Sequence, residues 1–305
     1  MDYELLDFGA GRKLERFAAF ILDRPSPSAE GFTVQNLKQW KSADAKFIAD
    51  SPKAERGRWI FHNQNLSPDY AWPISFSPSP ITLELKFSPF GHLGVFPEQQ
   101  VNWRRIAERI SDETKRAEPL RVLNLFAYTG GSTLAAAAAG AKVVHIDSAK
   151  NLLARARRNA ELSGLADTPI RWIAEDAVRF VQREIKRDEK YDAVILDPPS
   201  YGHGSSGQVW QISRDLPGLL HNCFELLSEK PIFLLLTCHT PFFDEKRLLE
   251  LLRQKNFTAK SFPMEIPSSN GNKLSSGCGV IVSAKKPIQN GFSGESLILP
   301  GTHRQ

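Results

Sequence analysis

The chain has 305 residues, 41% of them hydrophobic and 24% charged, which is enough to bury a sizeable core and excludes a disordered or fibrous protein. Its formal charge of +5 favours a polyanionic partner such as RNA. The longest apolar runs, 134–141 and 232–236, fall short of the about 20 residues of a bilayer span, and Cys223, Cys238 and Cys278 are too few and scattered for a disulfide framework or a zinc site; no membrane role and no metal are expected, and the cytoplasm is the expected compartment.

In chain order, residues 1–11 carry Asp2, Glu4 and Asp7 and no apolar core, which argues against a signal or transit peptide. Short apolar runs at 81–87 and 93–96, separated by Pro, Ser and Gly, mark residues 1–115 as a small β-rich N-terminal domain. A helix is predicted over 101–115, where Ile106 and Ile110 stand four residues apart among charges. Basic clusters at Arg104, Arg105 and Arg109, at Lys115, Arg116 and Arg121, and at Arg155, Arg157 and Arg158 are candidate phosphate contacts, although a solvated helix face accounts for any one of them.

From 116 to 287 the pattern becomes strand, turn, helix, repeated. Runs at 122–126, 143–147, 170–174, 192–196 and 232–238 read as buried parallel strands, with helices over 216–227 and after the N-cap Asp244, and two last strands at 258–266 and 279–285. The expectation is an α/β fold, a doubly wound seven-stranded Rossmann-like sheet, followed by a tail over 288–305.

In such a sheet the ligand sits beyond the carboxyl ends of the strands at the switch point. Ala127-Tyr128-Thr129-Gly130-Gly131-Ser132 leads from the first strand into a helix, and its glycines allow close approach to a ligand. Asp147 ends the second strand and can accept from both ribose hydroxyls; Asp176 follows the third and can take an adenine amine. Either acid alone is explained as a helix cap, but the ordered set describes a nucleoside pocket. An NAD site would require Gly-x-Gly-x-x-Gly, whereas Phe126 and Tyr128 stand where small residues would admit a pyrophosphate. S-adenosylmethionine has no pyrophosphate and is the expected cofactor.

Strand four runs into Asp197-Pro198-Pro199-Ser200-Tyr201, a stiff turn able to face a planar nitrogenous group, and 202–207 is glycine-rich enough to form a lid. Strand five ends in Thr237-Cys238-His239. A Cys238 thiolate could attack C6 of a cytosine, and a buried inert thiol explains it equally well; His239, its neighbour on a strand, points to the opposite face.

The stretch 122–131, His145-Ile146-Asp147, Glu175-Asp176 and Leu196-Asp197-Pro198-Pro199 together resemble class I methyltransferases of the large-subunit ribosomal RNA cytosine-C5 type, over residues 80 to 285. Leu93-Gly94-Val95-Phe96-Pro97-Glu98-Gln99 is similar to that family's segment folding over the cofactor. The resemblance implies that Phe96 and Asn124 to Gly131, including Phe126, Tyr128, Thr129 and Gly130, bind S-adenosylmethionine together with Asp147, Asp176 and Asp197. It further implies that Pro198, Pro199 and Tyr201 bind the substrate base and that Asp197 and Cys238 are catalytic. The N-terminal 75 residues do not match that family's RNA-binding PUA domain. Methylation of a nucleic acid base, with ribosomal RNA as the expected substrate and cytosine C5 favoured within it, is thus the leading expectation; a protein or small-molecule acceptor, and a non-catalytic RNA-binding module with a degenerate methyltransferase fold, are the alternatives.

Overall fold

In the computed structural model residues 3–285 are described, apart from 52–53, 55, 67–68, 76–77, 114–117, 204–206 and 208. The 115/116 division, Lys115 and Arg116, half of the expected lid and the expected tail therefore lie outside the described residues. Five strands, β1 (Tyr3–Gly9), β2 (Arg12–Phe17), β3 (Phe20–Pro25), β4 (Ala45–Ala49) and β5 (Gly57–Phe61), form one sheet in that order, with the short helix α1 (Leu37–Trp40) joining β3 to β4. All its pairs are antiparallel except β3 with β4. A hairpin, β6 (Asp69–Ile74) and β7 (Ile81–Lys86), and helix α2 (Gln100–Ser111) follow.

The large sheet then begins with β8 (Arg121–Leu125), α3 (Gly131–Ala138), β9 (Lys142–Asp147), α4 (Lys150–Leu162), β10 (Ile170–Ala174), α5 (Ala177–Lys186) and β11 (Ala193–Leu196). A small hairpin, β12 (Tyr201–His203) with β13 (Val209–Gln211), occupies part of the expected lid and precedes α6 (Ile212–Glu225). The chain continues through β14 (Phe233–Cys238), α7 (Glu245–Leu251), β15 (Phe257–Pro267) and β16 (Lys273–Ala284). Strand order is β10-β9-β8-β11-β14-β16-β15, parallel through β14 and antiparallel for the last two strands. The chain winds outward from β8 to β10, returns to β11 and winds the other way, so the switch point lies between β8 and β11.

Because strand side chains alternate, each strand feeds two layers. Val122, Val143, Ile195, Phe233 and Leu235 pack with Trp103, Ile106, Leu134 and the hairpin residues Trp72, Ile81 and Leu83. Leu123, Val144, Val194, Leu196, Leu234, Leu236 and Cys238 pack with Phe180 of α5, Leu216 of α6 and Leu248 of α7. Residues 69–111 thus share a core with the large sheet. The apolar run 93–96 is a loop beside β7. It is tied down by Thr129 Oγ1 donating to the Gly94 carbonyl (2.7 Å) and by the Arg155 guanidinium donating to the Leu93 carbonyl (3.3 Å). Gly94 has φ +84, left-handed backbone that glycine adopts without strain.

Candidate active site

A cavity of about 520 Å³ opens at the switch point, beyond the carboxyl ends of β8, β9, β10, β11 and β14. Its first wall is the turn between β8 and α3. Phe126, Tyr128 and Gly130 all have left-handed backbone, at φ 54, 52 and 93. Two bulky residues in that region store strain, about 1–3 kcal/mol each, of the kind held at functional sites. The turn is held by Asp147, one oxygen accepting the Tyr128 N–H (2.9 Å) and the other the Ala149 N–H (2.9 Å). Burial raises the Asp147 pKa, opposed by those two N–H groups. Helix α3 starts without a side-chain cap, so its first N–H groups are open to an anionic ligand. Gly131 is required for packing, since a Cβ would meet the Trp103 indole of α2 at 2.4 Å.

Beneath this turn, Asn124 donates to Thr133 Oγ1 (2.9 Å), which is in turn hydrogen-bonded to Nδ1 of His145 (2.9 Å). Burial holds His145 neutral, with its pKa near 3. Asn124 therefore fixes the turn from below as well as lining the cavity. Asp176 caps α5, accepting from the Arg179 N–H (3.0 Å), and still lines the cavity.

The opposite wall centres on Asp197. Its Oδ1 accepts from Thr237 Oγ1 (2.6 Å) and faces His239 Nε2 at 3.3 Å, and its Oδ2 accepts from Gln99 Nε2 (3.0 Å). Burial alone would raise the Asp197 pKa, but His239, Thr237 and Gln99 outweigh it and hold the carboxyl below its usual range. His239 has the Asp197 carboxylate at Nε2 and the Ser276 carbonyl at Nδ1, and these two acceptors favour the protonated ring. Burial would lower its pKa, yet Asp197 raises it to about 9. Phe96 stands between the rings of His239 and Tyr128, at centroid distances of 6.5 and 5.4 Å.

Phe96, Asn124, Phe126, Tyr128, Thr129, Gly130, Gly131, Asp147, Asp176, Asp197 and Pro199 all line this one cavity. Three expected residues do not. Pro198 is buried behind the strand end, Tyr201 points outward from β12 and is 56% exposed, and Cys238 is 1% exposed. Cys238 shares the face of Leu234 and Leu236 and packs in the layer of α5 to α7, opposite to Gln99, and burial raises its thiol pKa. Gln99, Trp103, Trp210 and His239 line the cavity as well, beyond the expected set. Gln99 and His239 lie in segments notable for other reasons, and nothing local marks their side chains as partners of an aspartate about 100 and 40 residues away in sequence.

The sequence profile of the S-adenosylmethionine-dependent methyltransferases matches residues 92–250, half of the chain and the whole of this cavity's switch point. The chain belongs to this family. The methyltransferase is 36% identical to a solved SAM-dependent methyltransferase from Agrobacterium tumefaciens, with a TM-score of 0.84 over 94% of this chain and 91% of that one. It shares its fold, at 17% identity and a TM-score of 0.69, with a SAM-dependent methyltransferase structure from Streptococcus mutans, over 92% of this chain and 74% of that one. It is also 34% identical over 125 residues to the ribosomal RNA large subunit methyltransferase I of Aeromonas hydrophila, covering 41% of this chain and 31% of that protein. The chain spans about a third of the length of the curated relatives it matches. The methyltransferase takes its methyl group from S-adenosylmethionine, and the open first turn of α3, the paired oxygens of Asp147 and the apolar residues Val95, Phe126, Ile146 and Leu152 make a lining suited to that cofactor. Among the described residues no helix is long and apolar enough to cross a membrane, and no group of three or more His, Cys, Asp or Glu could hold a metal.

Proposed function

We propose that the protein methylates a base of RNA, and that large-subunit ribosomal RNA is its substrate. The observation that carries this reading is the surroundings of Asp197. A carboxylate offers about four lone-pair sites; Thr237, His239 and Gln99 use three, leaving one on Oδ2 for a donor on the substrate. Pro199 and the Trp210 indole, which is anchored on the Pro199 carbonyl (2.7 Å), add a flat apolar surface beside it. A polar acceptor next to a flat apolar wall fits the edge and face of a nucleobase. The basic balance of the chain and the names of its curated relatives support RNA.

In this reading the first turn of α3 binds the carboxylate of the methionine end, Asp147 accepts the ribose hydroxyls on its remaining lone pairs, and the second oxygen of Asp176 accepts the adenine amine. The bound S-adenosylmethionine supplies an electrophilic sulfonium methyl. Asp197 accepts an N–H of the acceptor base and orients it, and Phe96, Pro199 and Trp210 keep water out. The acceptor atom is then a nitrogen, which needs no covalent intermediate and gives up its N–H proton, through Asp197, to solvent. What supports this over cytosine C5 is the burial of Cys238 on the far face of β14.

The test is nucleoside mass mapping of ribosomal RNA from cells with and without the protein. One methylated nucleoside of the large-subunit RNA should disappear and return when the purified protein and S-adenosylmethionine are added. Unchanged RNA, with methyl transfer to a protein or metabolite fraction, would replace this reading.

A further inference from the structure

A second concavity, of about 500 Å³, lies at the other end of α2 from the catalytic cavity. Its floor is one face of the β15–β16 pair, where Thr258 stands opposite Ser283 and Lys260 opposite Ile281. Arg109, in the last turn of α2, forms its wall, and Lys285 closes the end. Among the described residues none of these three cations is in an ion pair; the Lys285 ammonium instead donates to the Lys255 carbonyl (2.7 Å). Higher on the same face, the Arg105 guanidinium lies 4.0 Å from the centroid of the Phe262 ring, which itself covers Gly279. Burial, and then the like charge of Arg109, lower the Arg105 pKa against the one acid that acts on it, Glu108. Lysines on an edge strand commonly block the addition of further strands. That role requires neither a concavity nor an arginine contributed by a helix.

The groove is joined to the active site along a single helix. Arg105 donates to Asn102 Oδ1 (3.1 Å), Asn102 donates to Gln99 Oε1 (2.8 Å), and Gln99 donates to Asp197. Each step along the helix is three residues, one turn of the same face, and α2 with its twelve residues is about 18 Å long. The chain of donors fixes the orientation of the Gln99 amide and places the cationic groove on the face that ends at Asp197.

We propose that this groove holds backbone phosphates of the RNA whose base enters the catalytic cavity, a few nucleotides away from that base. The inference rests on the RNA reading above. Three cations that make no ion pair among the described residues, with hydroxyls between them, match a run of phosphates, and displacement of condensed counterions supplies the free energy.

The experiment is fluorescence anisotropy of the whole chain with a fluorescein-labelled single-stranded RNA of about 20 nucleotides, between about 50 and about 200 mM KCl. Removing one phosphate-binding cation flattens the plot of log K against log salt by about 0.7 for single strands. Arg109→Gln, Lys260→Gln and Lys285→Gln together should flatten it by about 2 and weaken binding at least about tenfold. Calorimetric affinity for S-adenosylhomocysteine should be unchanged. If the triple variant does not fold, Lys260→Gln alone, an exposed position, should flatten the slope by about 0.7. A steep wild-type slope that the variants leave unchanged overturns the groove and leaves the RNA reading standing. A wild-type protein with no measurable affinity for RNA overturns both.

Discussion

His239 faces Asp197 across 3.3 Å at the ends of two neighbouring parallel strands, and the histidine is the cation of the pair. Its pKa of about 9 stands above the 6.5 of a free histidine, so the stability that the protonated ring contributes is complete below pH 6.5, as long as Asp197 stays ionised, and is lost as the pH rises through 9. Methyl transfer should decline over the same upper limb. In His239→Gln, kcat should fall by about tenfold or more and the alkaline limb near pH 9 should vanish from the rate profile. An unchanged alkaline limb in the variant would assign that titration to another group.

Cys238→Ala should retain kcat within about fivefold, because the thiol is buried in the α5–α7 layer on the face of β14 that carries Leu234 and Leu236. Denaturation should show a modest loss from the small cavity, about 1 kcal/mol. A fall of about 10³ or more in kcat with intact cofactor binding would instead establish a covalent cytosine mechanism.

Asp147→Ala removes the acceptor of two backbone N–H groups that hold the left-handed Tyr128 turn. Hydrogen bonds to a charged group contribute about 1.5–3 kcal/mol each, so affinity for S-adenosylhomocysteine should drop by about 100-fold or more, read by calorimetry. A change below about threefold would mean that the turn holds its shape without the carboxylate.

Glu15 of β2 is fully buried among Arg24, Lys13 and Tyr3, accepting from Arg24 Nε at 2.7 Å and from the Tyr3 hydroxyl at 2.8 Å. Burial would raise its pKa, but Arg24 and then Lys13 bring it down from 4.5 to about 2. The stability it contributes is therefore present above pH 4.5 and lost as the pH falls through 2. Glu15→Gln leaves Arg24 buried without its counter-charge and should cost about 3–5 kcal/mol in urea unfolding at neutral pH, with a smaller further loss between pH 4.5 and 2 than the wild type shows. Equal acid sensitivity of the two proteins would place the acid-labile charge elsewhere.

Much of the fold is legible in the chain because its signals are local. Buried parallel strands are continuous apolar runs, as in Phe233–Cys238, where every residue is buried, and their ends are marked by acids and glycines. The five-stranded sheet is less legible, since its strands carry internal charges such as Glu15 and Asp23 that only their cross-strand partners Arg24 and Arg12 make tolerable. The loop at 93–96 has the apolar content of a strand and is held by side chains from α3's turn and α4, which no local pattern encodes.

Residue type and spacing are enough to establish that a doubly wound sheet forms and that it presents a glycine turn, Asp147, Asp176 and Asp197 at consecutive strand ends, around one cavity. Local signals suffice for that, because strand ends in such a sheet converge whatever else the chain does. Which neighbour of Asp197 matters was settled by packing alone. The seating of α2 on one face of the sheet brings Gln99 to the carboxylate, and the alternation of β14 then turns Thr237 to that side and Cys238 away, while His239 swings onto Asp197 just past the strand's end. That choice depends on contacts between segments about 40 to 140 residues apart, which are set by the packing of the whole core and by no local pattern.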